Sequence, residues 1–164
     1  PDLRFHPRCP FGHKPKTIFR PAVLVAVRTG HQMTAIQRIR LTNDGTWHEG
    51  KFMLGKPGQG AWAPRFEGNV LAIAEGMEDA ASYTLIREIP CWAALGNERL
   101  ALIGVPTYVT KLYIAEDNDG PGRTAAMAAV DAHGMPRRCI NRDAPPSEYH
   151  DWADVERKLV NLWD

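Results

Sequence analysis

Two carboxylates one residue apart, Asp117 and Asp119, follow an apolar run that begins at Leu112. The run predicts a buried strand, and Gly120-Pro121-Gly122 predicts its end and the start of a helix, so both acids fall at the carboxyl end of the strand. Ligands bind at that edge in open α/β sheets. Side chains two residues apart in an extended segment point the same way, and their oxygens suit a hard divalent cation such as Mg²⁺.

A third acid, Glu75, stands in an equivalent position. It follows a second apolar run, residues 70–74, and apolar residues at helical spacing come after it, which predicts a strand and then a helix. If the two strands are parallel and adjacent, Glu75 meets Asp117 and Asp119 at one sheet edge. The alternative reading is structural: Asp119 shapes a turn before Gly120, and Asp151 caps the last helix.

The elements that must position these acids alternate between strand and helix. After the helix that follows Glu75, the pattern predicts a strand at residues 91–95, a short helix at 98–103 and the strand before Asp117, which begins at residue 111. A helix at residues 123–133, a strand at 138–140 and a final helix from residue 152 follow. Such alternation predicts a parallel sheet with right-handed crossovers. In the final helix, apolar side chains share one side and predict core contacts, namely Trp152, Val155, Leu159, Leu162 and Trp163.

The first part of the chain predicts a small, mostly antiparallel β unit. Residues 2–20 are rich in proline, histidine and basic residues and indicate irregular structure. Residues 22–27 and 33–41 then predict a hairpin, and a turn signal precedes a further strand at 51–54. A stretch rich in glycine and proline, residues 55–64, indicates a linker. We therefore predict two domains, residues 1–68 and 69–164.

Charge divides the chain in the same way. Residues 1–69 hold eleven Lys or Arg against four Asp or Glu, whereas residues 70–164 hold nine against fifteen. This asymmetry favours an anionic polymer that crosses from a basic lobe to an acidic, metal-binding one. On the predicted middle strand, Arg38 and Arg40 share a face, which is either a phosphate track or the solvated side of the sheet.

Composition indicates one ordinary globular protein of 164 residues, 44% of them hydrophobic. No apolar run approaches the roughly 18 residues that a membrane helix needs, and we expect a soluble cytoplasmic protein without a membrane partner. The three cysteines form no C-x-x-C pair, so neither a disulfide framework nor a zinc ribbon is predicted. The chain starts at Pro1 without methionine or a signal pattern, which suggests an excised domain or a missing start.

Four short motifs together resemble the Toprim domain of topoisomerases and primases, most closely the primase type found in phages, plasmids and integrated mobile elements. They are Glu75-Gly76 leading to Asp79, then Asp117-x-Asp119 leading to Gly122-Arg123, then Asp151 with Asp154, and upstream Lys51-Phe52-Met53-Leu54. Two departures stand out. Asn118 replaces the glycine that bacterial primases usually carry between the two aspartates. Asp151 and Asp154 are separated by two residues, where primases place their last two acids one residue apart.

The resemblance implies a Toprim-like parallel sheet flanked by helices, preceded by a small basic β subdomain. It also implies a DNA primase core that joins nucleotides on a single-stranded DNA template, with nucleoside triphosphates as substrates and a replicative helicase as a candidate partner. Mg²⁺ or Mn²⁺ would be the cofactor, and Glu75 would be either a ligand or the general base. The implied metal ligands are Glu75, Asp79, Asp117, Asp119, Asp151 and Asp154, and the implied nucleic-acid contacts are Arg38, Arg40, Lys51 and Arg123.

Two other classes of function stay open. A Toprim nuclease or topoisomerase fragment would use the same acids for strand cleavage, although none of the four tyrosines lies in a recognisable setting for a topoisomerase nucleophile. A nucleic-acid or nucleotide-binding module would need no catalysis. A receiver-like doubly wound domain would need an acid pair at its first strand and a phosphoacceptor at its third, and the order of acids in this chain does not fit. The basic lobe before the predicted sheet favours the primase among the three.

Overall fold

The computed structural model describes residues 2–160 and contains two four-stranded sheets, one antiparallel and one parallel. The chain forms two compact units, of which the first ends at Gly60 and the second begins at Ala61. The predicted fold class, a parallel sheet with flanking helices after a small antiparallel β unit, is confirmed. The exact domain division at residues 68 and 69 stays our proposal.

The first unit is an antiparallel meander of four strands in sequence order. They are β1 (Leu3–Phe11), β2 (Ile18–Thr29), β3 (Gln32–Leu41) and β4 (His48–Gly55). The predicted hairpin is confirmed: β2 and β3 pair from Ala22 with Arg40 to Thr29 with Gln32. Gly30 in the turn has a φ of 58°, a conformation that costs glycine little.

The prediction that residues 2–20 are irregular is wrong, because β1 and the start of β2 occupy this segment. Two prolines, Pro7 and Pro10, obscured the strand in the sequence. Since β1 lies at the edge of its sheet, a proline without an N–H interrupts no ladder on the outer side. The register also shifts between His6 and Cys9, so a bulge accommodates the first proline.

The second unit is a parallel sheet in the order β6-β5-β7-β8. Its strands are β5 (Val70–Ala74), β6 (Cys91–Ala93), β7 (Lys111–Ala115) and β8 (Cys139–Asp143), and its helices are α1 (Met77–Arg87), α2 (Gly120–His133) and α3 (Trp152–Val160). The helix predicted at 98–103 is only a single 3-10 turn, Asn97–Arg99. Within residues 2–160, no helix is long and apolar enough to cross a membrane.

Alternate strand residues build the two layers of the core. Leu71 and Ile73 pair with Leu112 and Ile114, and these four buried side chains belong to one cluster with alanines of α2. Small residues on α2 let the helix approach the sheet closely. Tyr83 of α1 and Trp152 of α3 are both fully buried and pack edge to face, with ring centroids 4.9 Å apart.

The predicted core face of the last helix is confirmed in part. Trp152 and Val155 are buried, whereas Leu159 is 44% exposed. The other two members of the predicted set, Leu162 and Trp163, lie outside the described residues.

Candidate metal centre

Strand register brings the predicted acids to one edge of the parallel sheet. β5 and β7 are adjacent and parallel, and Ala74 at the end of β5 pairs with Ala115 at the end of β7. Glu75 therefore leaves its strand at the level where Glu116 and Asp117 leave theirs. The two strands that end at the acids are thus parallel and adjacent, as the predicted site requires.

Asp117 is the electrostatic centre of this edge. Burial raises the pKa of Asp117 first, and the charges of neighbouring acids raise it further, to about 7 from 3.8. The contributing acids, in order of effect, are Asp79, Glu75, Asp151 and Asp119. We call these four and Asp117 the acidic edge. Repulsion of this kind arises only between carboxylates that are close together.

One oxygen of Asp117, Oδ1, is buried and has no hydrogen-bond partner among the described residues. A buried carboxylate oxygen without a partner is costly in free energy. A divalent cation would pair with that oxygen and would relieve the repulsion among the surrounding carboxylates. An all-oxygen donor set suits Mg²⁺ or Mn²⁺, so the residues of the acidic edge fit such a cation.

Asp119 has one oxygen committed to the fold. Its Oδ1 accepts a hydrogen bond from the Gly122 N–H at 2.6 Å and caps the start of α2. The close approach needs glycine: a Cβ on Gly122 would lie 2.8 Å from the Cβ of Asp117 and 2.9 Å from the Oδ1 of Asp119. The turn-and-cap reading of Asp119 is therefore correct, and it leaves Oδ2 for other contacts.

Asp79 ties two helix starts together at the same edge. Its Oδ1 accepts a hydrogen bond from the N–H of Ala153, in the first turn of α3, at 3.2 Å. A Cβ on Gly76 would lie 2.6 Å from its Oδ2. The lack of a side chain at Gly76 thus lets the Asp79 carboxylate approach the backbone of residue 76, which gives the glycine after Glu75 its steric reason.

Asp151 caps α3, as its alternative reading predicted. Its Oδ1 accepts a hydrogen bond from the Asp154 N–H at 2.7 Å. Asp154 is turned toward other partners, since its Oδ2 accepts from the His150 N–H at 3.2 Å and its Oδ1 pairs with Arg157. The hydrogen bond from Arg157 holds the pKa of Asp154 below its usual range. Arg157 already balances the charge of Asp154, which makes this acid a weaker ligand candidate than Asp117.

His150 is a site residue that no motif or periodicity in the sequence identifies. It is exposed, but its Nε2 lies 3.5 Å from Asp119 Oδ2 and its Nδ1 lies 3.5 Å from Asp151 Oδ2. Ligating atoms of His150, Asp151 and Asp154 all lie within 4.8 Å of one another. Burial lowers the pKa of His150, but the hydrogen bond and charge of Asp151 and the charge of Asp119 outweigh it and raise the pKa overall.

Glu116 is excluded from the acidic edge by its partner. It is 8% exposed, and its Oε2 accepts a hydrogen bond from Arg142 Nε at 2.7 Å. A buried carboxylate with such a partner serves the fold.

The basic residues of the first unit take part in its packing. Arg38 stacks on Phe11 at 4.9 Å and donates from Nη1 to the Pro10 carbonyl at 2.7 Å. Arg40 stacks on Phe52 at 5.0 Å and pairs with Glu49 at 3.1 Å. Both guanidinium groups are thus held in place by aromatic rings, while part of each side chain still reaches solvent.

Lys51 does not lie on the face that Arg38 and Arg40 share. It pairs with Ile39, whereas Arg38 pairs with Phe52, and paired residues of an antiparallel ladder point to one face while neighbours alternate. Arg38 and Arg40 therefore share one face of the first sheet, as predicted, and Lys51 lies on the other face. Arg123 is exposed in the first turn of α2.

Comparison with known proteins agrees with this geometry. A family model described as a Toprim domain matches residues 70–159, and one described as a domain of unknown function (DUF7146) matches residues 1–63. No curated protein sequence matches the chain.

Three solved structures share the fold. A DNA primase domain from Pseudomonas aeruginosa is 14% identical with a TM-score of 0.64, over 95% of this chain and 61% of that one. The primase fragment of the bacteriophage T7 primase-helicase protein is 11% identical with a TM-score of 0.68, over 87% and 60%. A DnaG primase catalytic domain bound to single-stranded DNA is 18% identical with a TM-score of 0.63, over 95% and 61%. The chain thus spans about three fifths of the length of these primase structures.

Proposed function

The chain belongs to the Toprim domain family, and from this membership we propose that it is a metal-dependent nucleotidyltransferase that makes primers on a single-stranded DNA template. Toprim domains bind divalent metals, and primase catalytic cores share the fold of nearly the whole chain. The substrates would be nucleoside triphosphates, and a replicative helicase would be the partner.

The observation that carries the proposal is the state of Asp117. Its half-buried carboxyl has an oxygen without a hydrogen-bond partner among the described residues, and burial together with four neighbouring acids raises its pKa to about 7. Asp119, Asp151 and Asp79 also hold helix starts, but among the described residues no hydrogen-bond donor pairs with Asp117 Oδ1. Such a cluster fits a cation that handles a polyphosphate.

In the proposed reaction, Asp117, Asp119 through Oδ2, and Glu75 would hold Mg²⁺ or Mn²⁺. The bound cation would neutralise charge on the triphosphate and lower the pKa of the attacking 3′ hydroxyl. Glu75 is the alternative acceptor for the proton of that hydroxyl. Asp79 and Asp151 hold the starts of α1 and α3 against the edge.

Arg123 and the first unit would supply phosphate contacts. Arg123 is exposed in the turn that Asp119 caps. Residues 1–69 carry eleven Lys or Arg against four Asp or Glu, and lysine and arginine give sequence-independent affinity for a DNA backbone. Arg38 and Arg40 would contribute from one face of the first sheet and Lys51 from the other.

Incorporation of labelled nucleotides on a single-stranded template, with Mg²⁺ or Mn²⁺, tests the proposal. We expect short products from the wild type and at least a hundredfold loss for Asp117→Asn. Asp131→Asn on the exposed side of α2 is the matched control and should retain activity. Cleavage of supercoiled DNA, measured in parallel, without any synthesis would instead identify a Toprim nuclease, and binding without either reaction would identify a non-catalytic module.

A further inference from the structure

Asn118 stands between the two acids of the Asp117–Asp119 pair, and its side chain reaches a distant part of the chain. Its Nδ2 donates to the carbonyls of Pro145, Pro146 and Tyr149 at 3.0, 3.2 and 2.8 Å. Its backbone N–H donates to the His150 carbonyl at 2.8 Å. One residue thus makes four contacts along residues 145–150.

Beside these contacts, the Tyr149 N–H donates to the Pro146 carbonyl at 2.9 Å and the His150 N–H donates to Asp154 Oδ2 at 3.2 Å. Residues 144–151 lie between β8 and α3 and form neither helix nor strand. Pro145 and Pro146 have no N–H, so only their carbonyls can hold them through backbone hydrogen bonds. The side-chain amide of Asn118 donates to both carbonyls.

The segment ends in residues that face the acidic edge. His150 Nε2 lies 3.5 Å from Asp119 Oδ2, and the charge of Asp151 acts on Asp117. Asn118 therefore holds the part of the chain that leads into Asp151, while Asp79 and the buried Trp152 hold the start of α3 that follows it.

Backbone conformation does not explain the asparagine. Residue 118 is not among the described residues with positive φ, so the position needs neither glycine nor the left-handed tolerance of asparagine. What asparagine adds, and glycine lacks, is the amide donor.

We propose that Asn118 is a positioning residue that sets the metal affinity of the acidic edge by holding residues 145–150, and with them Asp151, against Asp117 and Asp119. The inference rests on the proposed function, because it assumes that the acidic edge binds a cation. Residues that orient metal ligands typically change metal affinity by 10- to 100-fold when they are substituted.

The test compares wild type, Asn118→Ala and Asn118→Gly, with Asn69→Ala as the matched control. Asn69 also donates a side-chain hydrogen bond, to Thr110 at 2.6 Å. It directly precedes β5 and therefore lies at the amino end of that strand, whereas the acidic edge lies at the carboxyl end. Amide hydrogen exchange of residues 147–150 is measured without metal, and Mn²⁺ affinity is measured by electron paramagnetic resonance.

Both Asn118 variants should show faster amide exchange at residues 147–150, and their Mn²⁺ affinity should be lower than that of the wild type by about tenfold or more. Asn69→Ala should change neither quantity. Unchanged exchange would overturn the inference, and so would faster exchange with wild-type affinity. Equal affinity loss in Asn69→Ala would show a general loss of stability and would also overturn it. If the wild type itself fails to bind Mn²⁺, the proposed metal site fails, and this result is separate from any difference between the variants.

Discussion

Replacing Asp117 by asparagine should make the metal-free protein more stable at alkaline pH. The folded protein keeps the Asp117 proton up to a pKa of about 7, whereas an aspartate in the unfolded chain releases its proton near 3.8. Between these values the folded state binds more protons than the unfolded state, so the free energy of unfolding falls as pH rises. Asparagine cannot ionise, and Asp117→Asn removes that fall.

The size of the effect follows from the displacement of the pKa. At 1.36 kcal/mol per pH unit, a change from 3.8 to about 7 corresponds to about 4 kcal/mol. Solvent reaches part of the half-buried side chain and screens the repulsion, so we expect a gain of about 1–2 kcal/mol at pH 8. At pH 4 the two proteins should agree within about 0.5 kcal/mol.

Urea unfolding followed by tryptophan fluorescence in EDTA measures both values, with Asp131→Asn as the control. Addition of Mg²⁺ should then favour the wild type, because a cation that binds only the folded state at a hundred times its Kd adds about 2.7 kcal/mol. An Asp117→Asn variant that is less stable than the wild type at pH 8 in EDTA would refute the reasoning, since Asp117 would then be a structural partner.

Three further predictions concern the supports of the site and the basic unit. Gly122→Ala should lower the free energy of unfolding in urea by about 1–3 kcal/mol and weaken Mn²⁺ binding, because the added Cβ would lie 2.8 Å from the Cβ of Asp117. Its control is Gly120→Ala, which should cost little because nothing lies within 4 Å of the added Cβ. Equal losses in the two variants would reject the steric argument. Asp151→Ala should lower the free energy of unfolding by about 1 kcal/mol because a helix cap is lost, whereas Asp151→Asn should keep the cap. Weaker Mn²⁺ binding in both variants would assign Asp151 to the metal site, and unchanged binding in both would show that it is only a cap. The logarithm of the affinity for single-stranded DNA falls linearly with the logarithm of the salt concentration. If Arg38 and Arg40 each contact one phosphate, replacing both by glutamine should reduce the size of this slope by about 1.4. An unchanged slope would mean that neither contacts a phosphate.

The position of the acids could be predicted because two ordinary patterns coincide there. Apolar runs that stop at acids identify the ends of β5 and β7, and parallel strands bring such ends to one edge. The caps formed by Asp119 and Asp151 were foreseen as alternatives to metal binding, and the structure shows both caps. A single carboxylate has two oxygens, so a cap and a ligand role do not compete at Asp119.

The remaining features depend on contacts that local sequence does not encode. The strand at Leu3–Phe11 was missed because prolines that exclude a central strand are tolerated at an edge. The side of the sheet on which Lys51 lies follows from a pairing register, and a shift of one residue would reverse it. Asn118 and His150 become site residues only through the fold of residues 144–151, which no periodicity describes.

The central claim is that the acidic edge binds a divalent cation, and anomalous diffraction from crystals soaked in Mn²⁺ tests it most directly. We predict an anomalous peak in contact with Asp117 and with at least one oxygen of Glu75 or Asp119, at ligand distances of about 2.0–2.6 Å. Crystals of Asp117→Asn should lack that peak. A peak found only between His150, Asp151 and Asp154, or no peak in the wild type, would contradict the claim.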